Sequence, residues 1–198
     1  MRSAAAPVGT WMTGSDGRRW FFDSGSLALD FAYTGDFGYG NPQWESLRSP
    51  ADLGTWLTSR FEEPGAPVSD PVYQRARELR AAVTFAARAI AGGSRPEPAQ
   101  VDTINAHASA HAVGPLLDGG TEQPPAPTAD QMLATLAQEA VIAFSADSDR
   151  LRHCQADDCG LIFLDVSRPG SRRWCSMQRC GGRAKARAHY DRHRHEGE

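Results

Sequence analysis

The chain has 198 residues, 40% apolar and 23% charged, with a net charge of −3, proportions that suit a folded globular protein. Leu, Ile, Val and Phe total only 33, but 30 alanines and five tryptophans stand in for them, and so small a net charge excludes a charge-expanded disordered chain. No apolar run reaches the ~18 residues of a membrane span, and residues 1–7 lack the apolar stretch of a secretory signal, so a cytoplasmic protein with no membrane partner is expected.

In chain order, Trp20-Phe21-Phe22 reads as a short strand. Ser49 and Pro50 open a helix, with Ser as cap and Pro in the first turn, which continues through Leu53, Trp56, Leu57 and Phe61. The clearest helix covers 71–90, where Val72, Ala76, Leu79, Val83, Ala86 and Ile90 step by four and three. Asp70 is expected to cap it, and Gly92-Gly93 to close it. Further helices are expected over 98–112, through Val101, Ile104 and Ala108, and over 130–144, through Met132, Leu133, Leu136, Ala140 and Val141. Residues 119–128, with Pro124, Pro125 and Pro127, form a loop between them. The expected fold is therefore mainly α, with a short N-terminal β element.

This body shows no P-loop, HExxH, GxSxG or dinucleotide fingerprint, and no catalysis is predicted. His107 and His111 lie at i, i+4, but no third ligand accompanies them. Asp30 with Asp23 or Asp36 could form a carboxylate pair, or could serve packing and capping. Trp11, Trp20, Trp44 and Trp56 could line an effector pocket, or simply fill the core.

Charge divides the chain in two. Residues 1–149 carry ten arginines against 18 acids, net −8; residues 150–198 carry 11 basic residues against six acids, net +5. An acidic body joined to a basic tail points to an anionic partner such as nucleic acid for the tail, with a merely solvated basic surface as the alternative.

The same tail holds all four cysteines, Cys154, Cys159, Cys175 and Cys180, in the pattern C-x4-C-x15-C-x4-C. Two close pairs separated by 15 residues suit a tetrahedral Zn²⁺, which takes four thiolates at ~2.3 Å. A reduced cytosol makes disulfides the weaker explanation. Four Cys ligands leave no open position for substrate, so one structural zinc is expected, and metal binding would supply folding energy to a short segment. His153 and His189 could substitute as ligands but are not needed.

Between the pairs, Gly160-Leu161-Ile162-Phe163-Leu164-Asp165-Val166 favours a strand. A turn at Ser167-Arg168-Pro169-Gly170-Ser171 would bring Arg172-Arg173-Trp174 back as its partner. A helix is expected over 183–194, with Arg183, Arg187, Tyr190 and Arg194 on one face. The result would be a treble-clef-like zinc finger with Cys180 near the helix N-terminus.

Phe163-Leu164-Asp165-Val166-Ser167, Arg172-Arg173-Trp174-Cys175-Ser176-Met177 and Cys180-Gly181-Gly182-Arg183-Ala184-Lys185 together resemble the CGNR zinc finger. That finger ends a family of bacterial transcription regulators whose N-terminal region is the ABATE domain, a stress-induced regulatory module. The usual ABATE opening is similar to Gly25-Ser26-Leu27-Ala28-Leu29-Asp30-Phe31-Ala32-Tyr33-Thr34 here. Two positions depart from the pattern: Gly182 and Tyr33 each stand where the family has Asn. Gly keeps the backbone freedom of Asn and loses its polar contacts.

The resemblance implies the four cysteines as zinc ligands and duplex DNA as partner, with Arg172, Arg173, Arg179, Arg183, Lys185 and Arg187 as candidate contacts. Asp165 could instead pair internally with one of these arginines, and Trp174 could form the small core of the finger. The expected organisation is an ABATE-like helical domain over 1–149, for effector sensing or homodimerisation, and a four-cysteine zinc finger over 150–198. A DNA-binding transcription regulator is the leading expectation. A protein-interaction scaffold and an RNA-binding regulator, with Tyr190 and Trp174 stacking on bases, are its rivals.

Overall fold

The computed structural model describes residues 8–14, 17–114 and 125–195. The chain opens with an antiparallel hairpin of β1 (Thr10–Thr13) and β2 (Arg19–Phe22), in which Trp11 faces Phe21 and Met12 faces Trp20. Alternation turns Met12, Trp20 and Phe22 inward and leaves Trp11 and Phe21 exposed. The Trp20-Phe21-Phe22 strand is thus as expected, while its partner had no clear sequence signal.

The ABATE-like opening forms α1 (Leu27–Ala32), almost wholly buried. Next comes α2 (Pro50–Thr58), where the Ser49 hydroxyl accepts from the Asp52 N–H at 3.2 Å, the cap read from the sequence. The longest helix, α3 (Asp70–Ala91), buries Ala76, Leu79, Val83, Ala86 and Ala87. Asp70 is its first residue and not its cap; Ser69 holds that position, without a side-chain hydrogen bond.

Helix α4 (Pro98–Ala108) stops four residues short of expectation at Ser109, whose hydroxyl turns back to the Ala106 carbonyl. Of its expected core positions Ile104 is buried and Val101 is largely exposed. Helix α5 (Ala129–Ser145) starts from a reciprocal cap: Gln131 N–H donates to the Thr128 hydroxyl at 3.2 Å, and Thr128 N–H donates to Gln131 Oε1 at 2.8 Å. Part of the expected 119–128 loop lies outside the described residues. Helices α3, α4 and α5 pack on one another, and α1 lies across α3 and α5.

A 3-10 turn (Ser148–Arg150) leads directly into β3 (Leu151–His153), which pairs antiparallel with β4 (Ile162–Leu164). Here the structure corrects the expected hairpin. The partner of the 162–164 strand is 151–153, and Arg172-Arg173-Trp174 is not a strand. Arg172 instead turns into the fold, as described below. A π-helical turn (Met177–Gly181) then passes into α6 (Gly182–His195).

The two sequence halves share one core. Leu151, Leu161, Ile162, Phe163 and Leu164 belong to the same buried cluster as Phe22, Leu29, Phe31, Leu79 and Leu133. The Leu164 N–H donates to the Ser24 carbonyl at 2.8 Å. Gly25, at φ +78°, allows this approach, because a Cβ there would fall on the Leu164 carbonyl. The change of charge at residue 150 is therefore a change in sequence character that the packing crosses.

Candidate zinc centre and basic surface

Strand β3 delivers Cys154, whose N–H donates to the Leu161 carbonyl at 2.8 Å. The turn that follows is closed by the Cys159 N–H on the Ala156 carbonyl, and Gln155 N–H donates to the Arg173 carbonyl, which brings the knuckle that carries Cys175 alongside the knuckle of Cys154 and Cys159. Cys180 lies in the π-turn that opens α6, the expected place at a helix N-terminus. Gly181 leaves room there for the Met177 sulfur and the Trp174 ring, which a Cβ would crowd.

The four Sγ atoms all lie within 4.8 Å of one another, with Cys159 to Cys175 at 3.7 Å and Cys175 to Cys180 at 3.5 Å. A tetrahedral ion with Zn–S bonds of ~2.3 Å places its sulfurs about 3.8 Å apart, so the cage fits. Three of the cysteines are buried and Cys159 is half-buried. Crowding forces the thiols to share protons. Cys154, accepting from its neighbours, is held below an ordinary thiol, while Cys159 and Cys175 are raised. Four thiolates this close need a cation between them.

Arg172 is not free for a ligand. Its guanidinium donates to the carbonyls of Trp174 (3.0 Å), Asp23 (2.7 Å) and Cys175 (2.5 Å) and lies 4.2 Å from the Phe163 ring centroid. Asp165 is buried, as its internal reading required. Its carboxylate accepts from the Arg172 N–H at 2.8 Å and from Ser167, so it holds a backbone and not a guanidinium. Arg179 lies 3.8 Å over the ring of Trp20, linking the π-turn to the N-terminal hairpin. Trp174 is partly buried against the core.

Arg173, Arg183, Lys185 and Arg187 lie toward solvent on the finger. Arg183 makes a forked pair with Asp158, at 2.5 and 3.0 Å, and reaches the Cys180 sulfur at 3.4 Å. Arg187 meets Asp157 at 3.4 Å. Arg173 Nε donates to Gln155 at 2.6 Å, and its guanidinium lies 5.2 Å from Trp174. The Arg194 and His189 side chains lie outside the described residues.

Gly182 takes a right-handed helical conformation, φ −63° and ψ −44°. The left-handed freedom that Gly and Asn share is not used at this position. A Cβ here would meet the Met177 carbonyl at 3.1 Å, a tight contact.

Other sequence candidates disperse. His111 falls beyond the end of α4, and His107 Nδ1 is engaged with the Thr103 carbonyl at 3.0 Å, so no imidazole pair forms. Asp23 and Asp36 bind backbone N–H groups of Gly25, Gly38 and Gly40. Trp20 packs inward, Trp44 donates to the Thr13 carbonyl, Trp56 packs on Phe31 and Trp11 faces solvent, so the four line no common pocket. Among the described residues, the four cysteines are the one cluster arranged to hold a metal.

Family models agree with this arrangement. The CGNR zinc finger model matches residues 150–193, and the ABATE model, described as "Putative stress-induced transcription regulator", matches residues 25–147. The chain belongs to the ABATE family. Its C-terminal module is a CGNR zinc finger holding one structural zinc through Cys154, Cys159, Cys175 and Cys180. No curated protein matches the chain. The two ABATE and CGNR matches assign a regulatory role, and no helix among the described residues is long and apolar enough to cross a membrane.

Sequence reasoning missed the residues that join finger to body in this ABATE protein. Tyr33 exchanges hydrogen bonds with Ile162, Trp20 supports Arg179, and Arg150 donates to the carbonyls of Asp165 and Ser167 at 2.9 and 3.2 Å. Only Tyr33 carried a signal, as a departure from the family pattern.

Proposed function

We propose that this ABATE protein is a cytoplasmic, DNA-binding transcription regulator whose zinc finger sets the start of α6 against the phosphates of duplex DNA. The observation that carries the reading is the exposure of Arg183, Lys185 and Arg187 on the first two turns of a helix fixed at Cys180. Arg173 extends the basic surface from the adjoining knuckle. Exposed ion pairs such as those to Asp157 and Asp158 contribute only ~0–1 kcal/mol, so phosphate can replace the aspartates. Arg172 and Arg179 act from behind, by holding the finger in place. The helical body senses an effector or mediates dimerisation, and no catalysis is assigned to it.

A gel shift of the zinc-loaded chain on random-sequence duplex tests this reading. Binding at low salt that weakens steeply as salt rises is expected. Single-stranded RNA as a stronger competitor than duplex would favour the RNA rival instead.

One observation favours a second reading. Arg172 and Arg179, two of the six candidate contacts, are turned toward the body. A finger built mainly to pack on its own body would be an interaction scaffold. No shift at the lowest salt would select that alternative.

A further inference from the structure

Between the C-terminal end of α3, the middle of α4 and the C-terminal end of α5 lies a recess of about 410 Å³. Small-molecule sites run from ~300 to ~1,000 Å³ and are mostly apolar, with few polar groups to orient the ligand. This recess follows that pattern. Ile90, Ile104, Val141 and Phe144 form its wall, and Val101 stands at its open side.

Of its polar lining, Ser94, Ser145 and Ser148 turn their hydroxyls to backbone carbonyls, which leaves two side chains to meet a ligand. Arg95, in the connection between α3 and α4, lines the recess and is exposed, with no hydrogen bond or ion pair to any described residue. The Asn105 amide, also lining it, has no described side-chain hydrogen bond either. Within a segment of net charge −8, most described arginines are engaged. Arg75 pairs with Asp130, Arg80 with Glu45, and Arg88 with the Phe37 carbonyl. A cation without such a partner beside an apolar wall complements an anion that carries its own apolar body.

We infer that this recess binds a small monocarboxylate with an apolar chain or ring, its carboxylate on Arg95 and Asn105 and its apolar part against Ile104 and Phe144. The site also has an output. Ser148 lines the recess and begins the 3-10 turn that enters β3. Two residues on, Arg150 fixes the carbonyls of Asp165 and Ser167 in the finger. A ligand against Phe144 and Ser148 therefore bears on the segment that connects the body to the basic surface. This output rests on the proposed DNA binding; the ligand site does not.

Calorimetry of the full zinc-loaded chain with octanoate, and with 1-octanol as uncharged control, tests the assignment. Octanoate is expected to bind at one site, and Arg95→Ala to weaken it about threefold to fivefold, the scale of an exposed ion pair, while leaving octanol unchanged. Val101→Trp, at an exposed position, is expected to block both without unfolding the chain. The inference is overturned if millimolar octanoate gives no heat, if Arg95→Ala binds it as wild type does, or if Val101→Trp changes the oligomeric state while octanoate still binds. That last result would make the recess an interface between copies. Octanoate is also expected to change duplex affinity severalfold in wild type and not in Arg95→Ala; an equal change in both would overturn the assigned route. Octanoate binding by a chain that shifts no duplex would support the pocket and sink the DNA reading.

Discussion

The Tyr33 hydroxyl donates to the Ile162 carbonyl at 3.0 Å and accepts from the Ile162 N–H at 2.8 Å. A side chain that follows α1 thus satisfies two buried backbone groups of a finger strand. Burial raises the Tyr33 pKa well above that of ordinary tyrosine, so the hydroxyl stays protonated and can donate. Phe22 and Phe37 pack on its ring at 5.0 and 4.2 Å. Tyr33→Phe keeps this packing and removes both hydrogen bonds. Leaving buried groups unpaired costs about 1–3 kcal/mol, or roughly 2–12 °C in Tm for a chain of this size. Thermal denaturation followed by circular dichroism reads the loss.

Zinc is expected to stabilise more than the finger. Residues of β3 and β4 share the core with α1, α3 and α5, so releasing the four sulfurs loosens both. Chelation, or Cys175→Ser, should lower the temperature at which the helical body melts, in a single transition. A body transition unmoved by zinc removal would contradict the shared core.

Asp157 and Asp158 hold two of the basic side chains assigned to DNA. Arg183 draws the Asp158 pKa below the usual carboxylate value. Both aspartates are exposed, so Asp157→Asn with Asp158→Asn should change stability by less than about 1 kcal/mol. Duplex affinity should rise severalfold, because phosphate no longer competes with carboxylate. Fluorescence anisotropy at moderate salt measures the change.

Asp30 gives a pH dependence. Its buried carboxyl accepts from the Gly9 N–H (2.5 Å) and the Ser24 hydroxyl (2.6 Å), with Arg60 3.7 Å away. Burial outweighs these contacts and raises the pKa to about 6 from the ordinary 3.8. Between those values the folded chain keeps a proton that the unfolded chain has released. Stability contributed by this group is therefore full below about pH 4 and lost as pH rises to about 6, by on the order of 3 kcal/mol. Asp30→Asn should flatten urea-unfolding free energy across that window.

Local chemistry was legible in the sequence. The step of apolar residues in α3, the Ser49 cap and the cysteine spacing each depend on near neighbours, and each is found. Pairings between distant segments were less legible. Nothing local distinguishes 172–174 from 151–153 as the partner of β4, since both stretches can extend. What decides is the burial of Arg172 among three carbonyls, two within the finger and one from Asp23. Arg172 and Arg179 likewise look like their exposed neighbours until Phe163 and Trp20 are brought beneath them. The unequal charge of the two halves was correctly visible, but it did not reveal their common core.

Titrating zinc-loaded wild type and the Arg183→Ala/Arg187→Ala variant with fluorescent duplex over a range of salt concentrations tests the proposed contact between the exposed start of α6 and DNA phosphates. Each lost phosphate contact should lower the slope of log affinity against log salt by about 0.9, so the variant should bind more weakly with a slope smaller by about 2. Equal affinity and equal slope in the two proteins would contradict the account.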